Sequence, residues 1–148
     1  MKVALDEHVP PAVGRGLVAM LTAGGDGAVT IVLAKDYATG QPAPDDVPWI
    51  TKFAADGGTV IISGDKAIRS VPEVQRAVAE TGVIAFYLPS RWNHWDMARR
   101  SAFILSWWER ILAKARESES GSAWIIPAGW EDGAFREVTV PDPEGAED

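Results

Sequence analysis

Three short acidic motifs punctuate the chain, and their residue types suit one chemistry. Asp6 and Glu7 close the apolar run of KVALDEH, Asp45 and Asp46 precede the helical pattern of PDDVPWI, and Asp65 closes the β-rich run of TVIISGDK. Each acid stands where a strand gives way to a turn or a helix. Clustered carboxylates repel one another and are costly to bury unless a cation lies among them. Hard oxygen ligands, in a chain with no cysteine and two histidines, select Mg²⁺ or Mn²⁺ over zinc. The chemistry implied is metal-assisted hydrolysis of a phosphodiester, in which the cation activates water and no side-chain nucleophile is needed.

Every candidate has a plainer reading beside the chemical one. Asp6 suits a turn or a helix N-cap, but the Asp6-Glu7 pair before Pro10-Pro11 favours a metal ligand. Asp46 before Val47-Pro48-Trp49 suits a helix cap, and a cap and a ligand are compatible in one carboxylate. Asp65 follows Gly64, which lets the backbone turn tightly. Glu7, Ser63 and Asp45 are candidates for supporting the ligands through water or a hydrogen bond, with Asp45 the substitute if the register slips by one. Lys66 is expected to balance Asp65. Glu73 is a candidate fourth acid, although the run Ser70-Val-Pro-Glu73 already reads as a capping box. His8 and His94 are too far apart for a spacing motif and are expected at the surface.

These acids need a scaffold, and the pattern predicts one. Strands are expected over 2–5, 29–33, 59–62, 83–88 and 123–126, with an edge strand over 135–140. Helices are expected over 12–21, 47–56, 70–81 and 94–117. Strands alternating with helices imply a three-layer α/β/α sandwich with a mainly parallel central sheet. Ligands of such sheets bind beyond the carboxyl ends of the strands, so Asp6, Asp46 and Asp65 are expected to converge there.

The longest predicted helix carries a second signal. At 100° per residue, Met97, Ile104, Leu105, Trp108, Ile111, Leu112 and Ala115 share an apolar face. Arg99, Arg100, Arg110 and Lys114 fall on another arc, with Phe103 and Trp107 among them. Cations interleaved with aromatic rings suit a single nucleic-acid strand, and equally suit a partner surface.

Composition bounds the rest. The 148 residues suit one domain, expected over 1–140, with 141–148 a disordered acidic tail. At 47% hydrophobic and 24% charged, the chain reads as globular. No apolar run approaches a membrane span, and no signal peptide is evident. A cytoplasmic protein that does not enter membranes is expected. The net charge of −7 argues against a general nucleic-acid binder, yet it hides a basic stretch over 91–116 and four acids in the last eight residues.

The segments LDEHVPPAVGRGL, DDVPWITKFAADGGTVIISGDKAI and PEVQRAV, in that order, resemble the PIN-domain superfamily of nucleases, with its VapC-like toxins and related PIN-like proteins. The resemblance covers roughly the first 88 residues. It implies an Mg²⁺- or Mn²⁺-dependent endoribonuclease with Asp6, Asp46 and Asp65 as catalytic metal ligands and Glu73 as the fourth acid. It also implies an RNA substrate, a neutralising antitoxin partner and a homodimer. His8 departs from the Asn common in relatives, and the aromatic-rich last third has no counterpart.

Two other classes compete. Phosphatase or receiver domains also place acids after parallel strands. A haloacid-type phosphatase, however, needs an Asp at the position of His8, and a receiver needs a Lys where Pro89-Ser90 stands. The other class is a PIN-like interaction module without turnover.

Overall fold

A computed structural model describes residues 1–6, 9–24, 29–37, 46–65 and 70–139. In chain order these form β1 (Lys2–Leu5), α1 (Pro11–Gly24), β2 (Thr30–Leu33), a 3-10 turn (Ala34–Tyr37), α2 (Asp46–Ala55), β3 (Val60–Ser63), α3 (Pro72–Thr81), β4 (Ile84–Tyr87), a second 3-10 turn (Ser90–His94), α4 (Met97–Glu117), β5 (Ala123–Ile125) and β6 (Arg136–Glu137). The tail over 141–148 lies outside the described residues.

The strands build one sheet in the order β2-β1-β3-β4-β5-β6. Every pairing is parallel except β5 with β6. Both faces are covered, so the strands read as continuous apolar runs, and their period of two sorts side chains between two cores. Val3, Leu5, Val60, Ile62, Ile84 and Phe86 face α1 and α4. Ala4, Ile61, Ala85 and Tyr87 face α2 and α3. The expected three-layer sandwich is the fold observed.

Two helix starts differ from expectation. Ser70 does not cap α3. The N-cap is Val71, extended at φ −82° and ψ 118°, with no side-chain capping bond. Proline disfavours helical backbone in the residue before it, so Val71 cannot take the first helical position that a Ser70 cap requires. Pro72 starts the helix instead, where its missing N–H costs nothing. The helix ends as expected at Gly82, whose φ of 85° is left-handed; a Cβ there would stand 2.5 Å from Ser120 Oγ. The long helix begins at Met97 rather than His94, because Asp96 caps it by accepting from Arg99 N at 2.8 Å.

The buried face of α4 is also wider than its apolar stripe. Ile104, Trp108, Ile111, Leu112 and Ala115 are buried as expected, but so are Phe103 and Trp107, while Met97 is exposed. The segment after β5 explains this. Trp107 Nε1 donates to Gly129 O at 2.9 Å, and Phe135 packs its ring edge-on against both Trp107 and Phe86. That chain covers the side of α4 that the helix alone would leave to solvent.

Candidate active site

The crossovers leave β1 in two directions. Through α1 the chain passes to β2, and through α2 it passes to β3 on the other side of β1 by the opposite face. The carboxyl ends of β1 and β3 therefore flank the switch point, where open α/β sheets bind their ligands.

Asp6 extends β1 by one residue, with its N–H donating to Ile62 O at 3.1 Å. It is buried, and a buried carboxylate is tolerated only when it is hydrogen-bonded. Ser63, the last residue of β3 and fully buried, donates its hydroxyl to Asp6 Oδ2. The same hydroxyl accepts from Asp65 N at 3.0 Å. One oxygen thus ties the acid after β1 to the turn that carries the acid after β3.

That turn is held from its other side. Gly64 O accepts from Asn93 Nδ2 at 3.1 Å. A Cβ on Gly64 would lie 3.1 Å from the Trp92 ring and 3.3 Å from Asn93 Oδ1, so the close approach favours glycine. Ser63, Asp65, Tyr87, Ser90 and Asn93 border a small cleft with about 10 Å³ of space for a water. Sequence reasoning missed Asn93 and Trp92, since nothing local marks them; they reach the site only because the 3-10 turn Ser90–His94 folds over the end of β4.

Asp46 opens α2, with Oδ1 accepting from Trp49 Nε1 at 2.9 Å. The other end of this helix is pinned to the amino edge of the sheet. Lys2 Nζ meets Asp56 Oδ2 at 2.6 Å, Tyr37 donates to that same oxygen at 2.6 Å, and Thr59 N donates to Lys2 O. Ten helical residues rise roughly 15 Å, which carries the start of α2 toward the carboxyl edge of the sheet. The hydrogen bond from Lys2, then that from Tyr37, holds the Asp56 carboxyl below its ordinary value. The bond to Asp56, then that to Tyr37, raises the Lys2 ammonium above its own.

Glu73 is exposed in the first turn of α3. Glu7, His8, Asp45 and Lys66 lie outside the described residues. Among the described residues, no three Asp, Glu or His side chains group closely enough to hold a metal ion. The direct links join Asp6, Ser63 and the backbone of Asp65.

The basic arc of α4 is corrected in its rings. Trp107 and Phe103 are buried and offer no exposed face to a base or a partner. Arg110 lies 3.4 Å over Trp107 and donates to the carbonyls of Ser106, Trp130 and Glu131. Arg100 lies over Trp92 and donates to the carbonyls of Trp92 and Asn93. Lys114 sits over Trp124 and pairs with Glu117 at 3.1 Å. These three cations bind the last third of the chain to itself. Among the described residues, no helix is long and apolar enough to cross a membrane.

Residues 1–90 match the model of a family described as a PIN like domain. The match runs from β1 through β4, includes Asp6, Asp46, Asp65 and Glu73, and stops before α4. No curated protein and no solved structure matches the chain.

Proposed function

The chain belongs to the PIN-like domain family, and from that premise we propose that it is a metal-dependent endoribonuclease working at the β1/β3 switch point. The observation that carries this reading is the Ser63 hydroxyl, which joins Asp6 to the turn bearing Asp65. Such a bond fixes the rotamer of a buried carboxylate and the position of its neighbour, which is what a preorganised ligand set requires.

The donors suit a hard cation. Asp6, Asp46 and Asp65, with Glu73 as the fourth acid, are the carboxylates proposed to hold Mg²⁺ or Mn²⁺; no three of them group closely enough to do so in this geometry, so binding the cation would require them to draw together. When bound, the cation supplies an electrophile for the phosphate and acidifies water. The chain's own residues do the positioning. Ser63 orients Asp6, Asn93 steadies the Gly64 turn, and Trp49 holds the Asp46 carboxylate.

The finer reading is the toxin of a toxin–antitoxin pair, neutralised by an antitoxin protein and active as a homodimer in the cytoplasm. Growth arrest on induction of the wild type, absent for Asp6→Asn, is the expected cellular outcome. In vitro, the purified protein is expected to cleave a fluorescently labelled RNA with Mg²⁺ and to stop with EDTA. Wild-type protein that neither cleaves RNA nor takes up Mg²⁺ in calorimetry would leave the PIN-like interaction module as the correct reading.

A further inference from the structure

The turn that borders the cleft leads directly into an aromatic cluster outside the family-matched segment. Asn93 lines the cleft, and Trp95 follows two residues later, at most ~7 Å along the chain. Trp95 is half-buried. Its ring lies 5.8 Å from that of Trp130 at an interplanar angle of 25°, and Phe103 packs edge-on against both indoles. Arg99, in the first turn of α4, places its guanidinium carbon 4.4 Å from the Trp95 ring centre and 5.9 Å from that of Trp130.

Arg99 differs from the other cations of α4. Arg100, Arg110 and Lys114 spend their donors on carbonyls or a carboxylate within the fold. The Arg99 guanidinium is exposed and makes no hydrogen bond or ion pair among the described residues. Arg91, exposed on the preceding turn, likewise has no side-chain partner among them. A planar cation over two indoles thus follows Asn93 within a few residues, and exposed Arg91 precedes Asn93 by two, on the chain that borders a cleft edged by Asp65. Polyanions are repelled by such a cleft and need a cationic rim to approach it.

We propose that Arg99, Trp95 and Trp130 form a nucleobase subsite for single-stranded RNA leaving the Asp65 cleft, with Arg91 against the adjoining phosphate. Bases stack on indole rings and on guanidinium planes with little regard to sequence, so the subsite holds a flanking nucleotide without reading it. The inference rests on the nuclease reading for its substrate class.

The test measures anisotropy of a short fluorescein-labelled oligouridine with purified full chain in EDTA. Arg99→Glu and Trp95→Leu are each expected to weaken binding about tenfold, and Arg99→Glu to flatten the logarithmic salt slope by about 0.7. Arg116→Glu, the same charge change ~25 Å along α4, is expected to leave binding within about twofold. Should Trp95→Leu fail to fold, Arg99→Glu and Arg99→Ala decide the matter, because that side chain is exposed. Wild-type affinity in folded Arg99→Glu overturns the proposal, as does a wild-type protein that binds no oligouridine. Dissociation of an oligomer by Arg99→Glu, with RNA affinity unchanged, overturns it in favour of a protein interface. Because no metal is present, intact binding alongside absent Mg²⁺-dependent cleavage would sink the nuclease reading and leave the subsite standing.

Discussion

Ser63→Ala removes one oxygen and tests the architecture of the site most directly. The hydroxyl is fully buried, donates to the Asp6 carboxylate and accepts from Asp65 N–H. A hydrogen bond to a charged group contributes about 1.5–3 kcal/mol and a neutral one about 0.5–1.5. Losing both is expected to destabilise the chain by roughly 2–4 kcal/mol, or about 5–15 °C in Tm at ~2–4 °C per kcal/mol for a chain near this size. Urea unfolding of Ser63→Ala, Asp6→Asn and the double variant isolates the pair. A coupling of at least about 1 kcal/mol is expected, with Mg²⁺-dependent cleavage reduced in both single variants. If the two substitutions add without coupling and Ser63→Ala melts with the wild type, the hydroxyl does not organise the site.

Asp65→Asn is expected to abolish Mg²⁺-dependent cleavage without lowering Tm, since it removes a charge from an acidic edge; a large drop in Tm would mark Asp65 as structural. Trp107→Ala is expected to cost about 3–5 kcal/mol in urea unfolding, the cost of a buried ring rather than of a surface contact, and an unchanged midpoint would contradict its burial. Asp56→Asn probes the clasp at the amino edge. The folded Asp56 carboxyl lies below its ordinary 3.8, so its stabilisation is present above that value and is lost as pH falls through the folded value. Lys2 lies above its ordinary 10.5, so its part is present below that value and is lost as pH rises through the folded one. The Tm deficit of Asp56→Asn is therefore expected to be level between about pH 5 and 9 and to close at both extremes; a deficit that persists in acid would exclude the ion pair as its source.

Local signals carried most of the fold because each was anchored in backbone chemistry. The apolar runs at Lys2–Leu5 and Val60–Ser63 are buried on both faces, and such strands need no partner to be read. Gly82 stops α3 because left-handed backbone there excludes other residues. Failures came where distant chain or a neighbouring residue outranked the local pattern. Ser70-Val-Pro-Glu73 has the letters of a capping box, but the constraint of Pro72 on Val71 decides the start. Of the described residues of the expected edge strand, Arg136–Glu137 pair with β5 and Val138 N donates to Ala123 O, while Phe135 is drawn against Phe86 and Trp107.

The site was legible in the same uneven way. Placing acids at strand exits needs only the rule that a parallel sheet gathers its loops on one edge; Asp6 and the Asp65 turn are joined there through Ser63, while the expected grouping of three acids is not found among the described residues. What sequence cannot rank is which polar group lies between them. Ser63 sits at an even position of a strand whose neighbours are valine and isoleucine, and as a lone serine it carries no motif. Its value comes from register. The Val3↔Val60 and Leu5↔Ile62 pairings set Ser63 level with Asp6, so its hydroxyl meets that carboxylate. A shift of one residue would turn every side chain of β3 to the opposite face, burying Ile62 with α2 and taking Ser63 away from Asp6. The packing that holds the two apolar cores apart is therefore also what aligns Ser63 with Asp6.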